Sequence, residues 1–166
     1  RLESAPVYYA PLGAAAARAM DETFDKLTLG AKPQSCDLTI QGRVLRIPRE
    51  AAGVARLSFA ELCDRPLGAA DYFKLAETFH TVMIDAAPLL TPDKRDQAKR
   101  FATLIDQLYE VKTKLVMSAA AEPGGLYPQG DYAFEFERTV SRLMEMRSHD
   151  YLAAERNTVE GGDAGG

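Results

Sequence analysis

Hydrophobic positions follow helical spacing in some stretches of the chain and strict alternation in others. Between about Gly13 and Leu29, Ala17, Met20, Phe24 and Leu27 recur at helical spacing, and Gly30 is a natural stop. Before that helix, Arg1 to Leu12 reads as an extended lead-in. Cys36, Leu38 and Ile40 then alternate with Asp37, Thr39 and Gln41, the two-residue period of a half-buried strand. Gly42 allows a turn, and Val44 to Ile47 returns before Pro48, so a β-hairpin is expected. Val54 to Phe59 adds a further strand, and Phe59 to Cys63 one helical turn. Tyr72, Phe73, Ala76 and Phe79 predict a second helix over about 69–79.

The next stretch is the most regular. Thr81 to Ile84 is a short apolar strand ending at Asp85. Thr91 can cap a helix, Pro92 suits its first position, and Asp93 complements its dipole. That helix runs to about Glu110, with Ala98, Phe101, Ala102, Ile105, Leu108 and Tyr109 on one face. Lys114 to Ser118 is another strand. Strand, helix, strand predicts a parallel βαβ unit with a right-handed crossover. Asp85 and the loop from Ser118 to Tyr127 then face the same edge of the sheet, where open α/β sheets bind ligands. A helix over about 134–146 buries Phe136, Val140, Leu143 and Met144, and Asp150 to Glu155 extends it. The fold class is α/β: a βαβ unit with parallel strands, an added β-hairpin and flanking helices. Residues 1–156 are expected to form one domain, and the Gly-rich residues 157–166 a disordered tail.

Composition narrows this picture. At 166 residues the chain can bury a real core within one domain. Its net charge of -4 gives no global attraction to nucleic acid, so no nucleic-acid partner is expected. No run of about 18 apolar residues is present. Cys36 and Cys63 are not in C-x-x-C spacing and read as reduced thiols of a cytosolic chain. The chain opens on Arg1, which reads as a continuation of something longer.

Most familiar chemistry is missing from the string. A phosphate loop needs G-x-x-x-x-G-K-[ST], so that backbone amides wrap the phosphates and a lysine neutralises them; neither it nor G-x-G-x-x-G occurs. No H-E-x-x-H or G-x-S-x-G is present, and His80 and His149 are far apart, so no metal site is expected. Asp85 reads either as a cap or solvated acid, or as a group holding Mg²⁺ through water; Ala86 stands where a second acid is usual. His80 reads as a hydrogen-bonded structural residue and His149 as a surface one. Arg138, Arg142 and Glu145 fall at i, i+4 and i+7 of one helix, while Arg95 and Arg100 lie on the long helix. These arginines are either solvated and paired with Glu145, Glu135 and Asp96, or meant for phosphate or an acidic partner, which the planar, always charged guanidinium suits.

Several stretches carry a resemblance. Phe59-Ala-Glu-Leu-Cys63, Pro66-Leu-Gly-Ala-Ala-Asp-Tyr72, Phe79-His-Thr81, Lys99-Arg-Phe101, Leu104-Ile-Asp-Gln-Leu-Tyr109 and Phe136-Glu-Arg-Thr-Val-Ser-Arg-Leu-Met-Glu-Met146 are together specific. Tyr8-Tyr9-Ala10-Pro-Leu12 and Gly42-Arg43 match more loosely. The chain resembles the C-terminal part of the ZapE/Afg-like AAA+ P-loop ATPases, a family that includes a bacterial cell-division ATPase. The resemblance implies that the nucleotide-binding loop and its Walker B strand lie upstream of Arg1. ATP and Mg²⁺ then belong to the intact protein, with no cofactor expected in this stretch. The stretch would supply arginines and oligomer or partner contacts to ATP-driven remodelling, and would be inactive alone. Arg138 and Arg142 match the family's Phe-x-Arg-Thr-x-Ser-Arg-Leu stretch and are the catalytic candidates, as trans-acting or sensor-like arginines. Implied partners are nucleotide through the upstream domain, a division or membrane protein, and further copies of the chain. The implied location is the cytoplasm, with the periphery of the inner membrane left open. The alternative is a partner-binding module with no direct role in hydrolysis, using the edge with Asp85, Glu122 and Tyr127.

Overall fold

The structure is a computed structural model, and residues 6–154 are described. The tail expected over 157–166 lies outside them. Among the described residues six strands form one mixed sheet. In chain order they are β1 (Tyr8–Tyr9), β2 (Gln34–Ile40), β3 (Arg43–Ala51), β4 (Val54–Ser58), β5 (Thr81–Ala87) and β6 (Lys114–Ala119). Across the sheet the order is β1-β6-β5-β4-β3-β2. β1, β6, β5 and β4 pair in parallel, and the β2–β3–β4 ladder is antiparallel. The expected βαβ unit is β5, helix α4 (Arg95–Glu110) and β6, with the two strands adjacent and parallel. The fold is therefore α/β.

Two hairpin turns explain the antiparallel half. Gln41 and Gly42 have φ of 51° and 81°, and Ala52 and Gly53 have φ of 50° and 81°. Two successive positive φ values match the twist of a two-residue hairpin, and glycine at the second place removes the steric cost there. Gly53 has a second duty, because a Cβ on it would sit 2.5 Å from the His80 ring.

Helix α1 (Ala14–Thr28) covers one face of the sheet. Met20 and Phe24 pack there against Ala51, Val54, Met83 and Val116. The other face holds the larger core, built under α2 (Phe59–Cys63), α3 (Ala69–Thr78), α4, α5 (Ala133–Met146) and α6 (His149–Ala153). Leu57, Leu75, Ile84, Phe101, Leu104 and Phe136 are closed off from solvent there. Each such side chain contributes about 1.5–3 kcal/mol relative to exposure. Ser58 and Glu61 form a capping box, which starts a helix as short as α2 directly at the end of β4.

Two helix faces and one helix start differ from the pattern read in the sequence. α1 buries Ala16, Met20, Phe24 and Thr28, and Leu27 is left 40% exposed. α5 buries Phe136, Thr139, Leu143 and Met146, while Met144 faces outward. Thr139 and Met146 lie nearer the axis of the apolar stripe than Met144 does, and Thr139 is small enough to fit against α4. Thr91 and Pro92 take the expected N-cap and first positions, but of a 3-10 turn over Pro92–Lys94 that leads into α4, and the Thr91 side chain accepts no backbone N–H there; its hydroxyl donates to Asp93.

Candidate functional site

The edge where the parallel strands end carries Asp85, and its surroundings decide its role. The β4–β5 register sets Arg56 beside Met83 and Ser58 beside Asp85, so Arg56 and Asp85 share a face. Arg56 is 5% exposed. Its Nε donates to Asp85 Oδ2 at 2.8 Å and its Nη2 to Asp85 Oδ1 at 3.0 Å, a bidentate pair. Nη2 also lies 2.9 Å from Asp21 of α1, and the guanidinium sits 5.7 Å above the Phe24 ring. Arg49 approaches Asp85 at 3.5 Å. Burial works against the charge on Arg56, but the hydrogen bonds and charges of Asp85 and Asp21 outweigh it and raise its pKa. Both oxygens of Asp85 are thus taken by a buried cation. That is a structural counter-ion, and the Mg²⁺ reading of Asp85 does not fit. Beyond Asp85 the strand bulges against β6: the register shifts between Ile84 and Ala87, Ala86 has φ 65°, and its amide donates to Ser118 Oγ at 2.8 Å.

Elsewhere on this edge the expected surface is only partly open. Tyr127 is 3% exposed and packs edge-on against Phe136, so it is core and offers no contact to a partner. Glu122 is exposed and pairs with Arg147 at 2.9 Å, whose guanidinium lies 5.0 Å above the Tyr8 ring. His80 is structural: its Nε2 donates to the Ala52 carbonyl at 2.9 Å, and its Nδ1 lies 2.8 Å from Thr81 Oγ1. His149 is exposed at the start of α6. Among the described residues no group of three or more His, Cys, Asp or Glu is arranged to hold a metal ion. Nor is any described helix long and apolar enough to cross a membrane. Cys36 and Cys63 are unpaired; Cys63 is buried, and desolvation pushes its thiol pKa up, so it is a poor nucleophile.

The two arginines from the family motif sit on α5 in contrasting settings. Arg142 donates through Nη1 to Asp106 of α4, and its guanidinium stacks 4.5 Å from the centre of the Tyr109 ring. Its side chain is 16% exposed. Tyr109 in turn donates to Glu145 Oε1 at 2.7 Å. Arg142 is therefore a clamp between α4 and α5. Arg138 is exposed and has no ion-pair or hydrogen-bond partner among the described residues. It borders a cleft of about 420 Å³ with Ala102, Asp106, Tyr132 and Glu135. The arginines of α4 are both engaged: Arg100 donates to the Cys63 carbonyl at 3.0 Å, and Arg95 reaches Asp131 at 3.4 Å. The partners Glu145, Glu135 and Asp96 expected from the sequence are mostly replaced by acids from other elements; only Arg95 keeps Asp96, at 3.9 Å.

A sequence model of the AFG1-like ATPases matches residues 1–155, nearly the whole chain. The chain belongs to the AFG1-like ATPase family. It is 36% identical to Lactation elevated protein 1 homolog B of Danio rerio, over 69% of this chain and 29% of that protein. It is 34% identical to Cell division protein ZapE of Escherichia coli strain K12, over 93% of this chain and 41% of that protein. The chain thus spans well under half the length of these relatives. No solved structure matches it. The phosphate-loop string G-x-x-x-x-G-K-[ST] does not occur in the sequence, and Asp85 is held by Arg56.

Proposed function

We propose that this domain serves ATP-driven remodelling by an AFG1-like ATPase, and that Arg138 is the residue it lends to nucleotide bound elsewhere in the assembly. One observation carries the reading: of the two motif arginines, Arg142 is locked by Asp106 and Tyr109, and Arg138 faces solvent without an ion pair. A guanidinium kept without an internal carboxylate can offer its full charge to a phosphate, and such an arginine is worth about 10³–10⁵ in rate. Arg142 acts through structure, by fixing α5 on α4. Lacking a phosphate loop, the chain by itself turns over no ATP. A role in cell division, in the cytoplasm or at the inner membrane, goes with the similarity to ZapE.

Turnover by the full-length protein tests the assignment. Arg138→Ala is expected to lower kcat by at least about tenfold while nucleotide affinity is kept, with Arg138→Lys recovering only part. Wild-type kcat in Arg138→Ala would sink it. The second reading, a partner-binding module without a part in hydrolysis, draws support from the apolar side chains exposed along α5.

A further inference from the structure

We propose that Ala102 and Arg142 are positioning residues for Arg138: together they keep a carboxylate from pairing with it. The inference rests on the role given to Arg138 above, and adds how the fold keeps that guanidinium available. A row of polar bridges joins α4 to α5 and the residue just before it. Arg95 reaches Asp131 at 3.4 Å, Asp106 accepts from Arg142, and Tyr109 donates to Glu145 at 2.7 Å. Each bridge joins residues 36 apart in sequence, so the two helices run parallel in one register. The same offset sets Ala102 opposite Arg138, and both line the cleft of about 420 Å³. A methyl group offers the guanidinium no charge, and its small size leaves the cleft open. The row therefore lacks a polar partner at the one place where Arg138 stands.

Asp106 is the acid that would otherwise fill that place. It borders the same cleft, and its side chain is 33% exposed. Residues four apart on a helix are neighbours, with Cβ atoms about 5–6 Å apart, so an acid that meets Arg142 is also within reach of Arg138. Both groups act on the Tyr132 hydroxyl beside them: after burial, the charge of Asp106 raises its pKa, and that of Arg138 lowers it. Arg142 holds Asp106 because it is the less exposed of the two arginines and stacks 4.5 Å from the centre of the Tyr109 ring. Burial strengthens its charged hydrogen bond, and the ring adds a cation–π contact. Glu135 and Glu137 also border the cleft, but neither is bonded to Arg138 among the described residues. Glu135, at i−3, could form only a weak exposed pair, and Glu137, at i−1, does not face it.

Thermal unfolding of the chain reads the pairing without reference to turnover. Arg138→Ala is expected to leave Tm in place while Arg142 is present. In the Arg142→Ala background, where Asp106 is left to Arg138, it should lower Tm by about 2 °C. It should do the same in Ala102→Glu and not in Ala102→Gln, which has the same length without the charge. Turnover by the full-length protein reads the consequence. Ala102→Glu should lower kcat roughly threefold below Ala102→Gln, since a pair of that strength occupies Arg138 most of the time. Arg142→Ala should lower kcat by a similar factor, and adding Asp106→Asn should return most of it. A clamp that served only the packing of α5 would give no such recovery, because the double variant lacks both halves of the bridge. An equal effect of Arg138→Ala on Tm in every background overturns the proposal, even if Arg138→Ala abolishes turnover. The expected Tm pattern with kcat unmoved in Arg138→Ala upholds the arrangement around Arg138 and sinks the role in hydrolysis given to it above.

Discussion

Arg56 and Arg138 lie on opposite sides of the molecule, one under α1 and the other on the outside of α5. Arg56 is enclosed by Asp85, Asp21 and the Phe24 ring, and 5% of it reaches solvent. Arg138 is exposed and unpaired among the described residues. A buried cation must be compensated where it stands, because desolvation of an unpaired charge costs several kcal/mol. An exposed one needs no such compensation, so the fold does not dictate its place. The difference separates an arginine that the fold requires from one that it merely carries. Arg142 falls between them, partly buried and paired across two helices.

The largest expected effect tests the buried member. Asp85→Ala removes the bidentate partner of Arg56 and leaves it Asp21, whose side chain is 69% exposed. A destabilisation of about 3 kcal/mol is expected, toward the lower end for a broken buried pair. Asp21→Ala should cost no more than about 1 kcal/mol, as exposed partners do. Urea unfolding of both variants measures the gap, and equal losses would mean that Asp85 is not the principal counter-ion.

A second effect belongs to the larger core beneath α2–α6. There, burial raises the pKa of the Cys63 thiol and of the Tyr72 and Tyr151 phenols. Since their folded values lie above the unfolded ones, the fold favours the protonated forms. Their contribution is whole below the ordinary thiol and phenol values of 9.0 and 10.0, and is lost as pH climbs through the folded values. Stability should therefore be level from neutral pH to about 9 and fall beyond it. Tyr72→Phe should flatten part of that slope while losing about 1 kcal/mol at neutral pH, because its hydroxyl donates to the Leu62 carbonyl.

The same contrast explains how much could be read from the sequence. Alternation and helical spacing located the hairpin, the βαβ unit and the main helices, because local pattern sets local structure. Which side of α5 is buried was harder. Met144 and Met146 are both apolar, but Met146 falls on the same side of the helix as the buried Phe136, Thr139 and Leu143, and Met144 does not. The Arg56–Asp85 pair was invisible because it depends on β4 lying next to β5 in one particular register. Its signal was present as a lone arginine inside the strand Val54-Ala-Arg-Leu-Ser58. Asp106 as the partner of Arg142 was hidden for the same reason, being supplied by another helix 36 residues away. The motif arginines could be named from the string, but not told apart, since both sit in the same local pattern.

The smallest expected effects on stability tell those two arginines apart. Arg142→Ala removes a charged hydrogen bond to Asp106 and the stacking on Tyr109, and should cost about 1–2 kcal/mol. Arg138→Ala touches no partner within the described chain and should stay within about 0.5 kcal/mol of the wild type. Thermal unfolding of the two single variants checks this directly. If Arg138→Ala proved as destabilising as Arg142→Ala, Arg138 would belong with the fold, and a loss of turnover in that variant would no longer point to phosphate. If it is neutral, any loss of turnover has to come from a contact made outside this domain. That is why the stability of Arg138→Ala has to be measured before its activity can be interpreted.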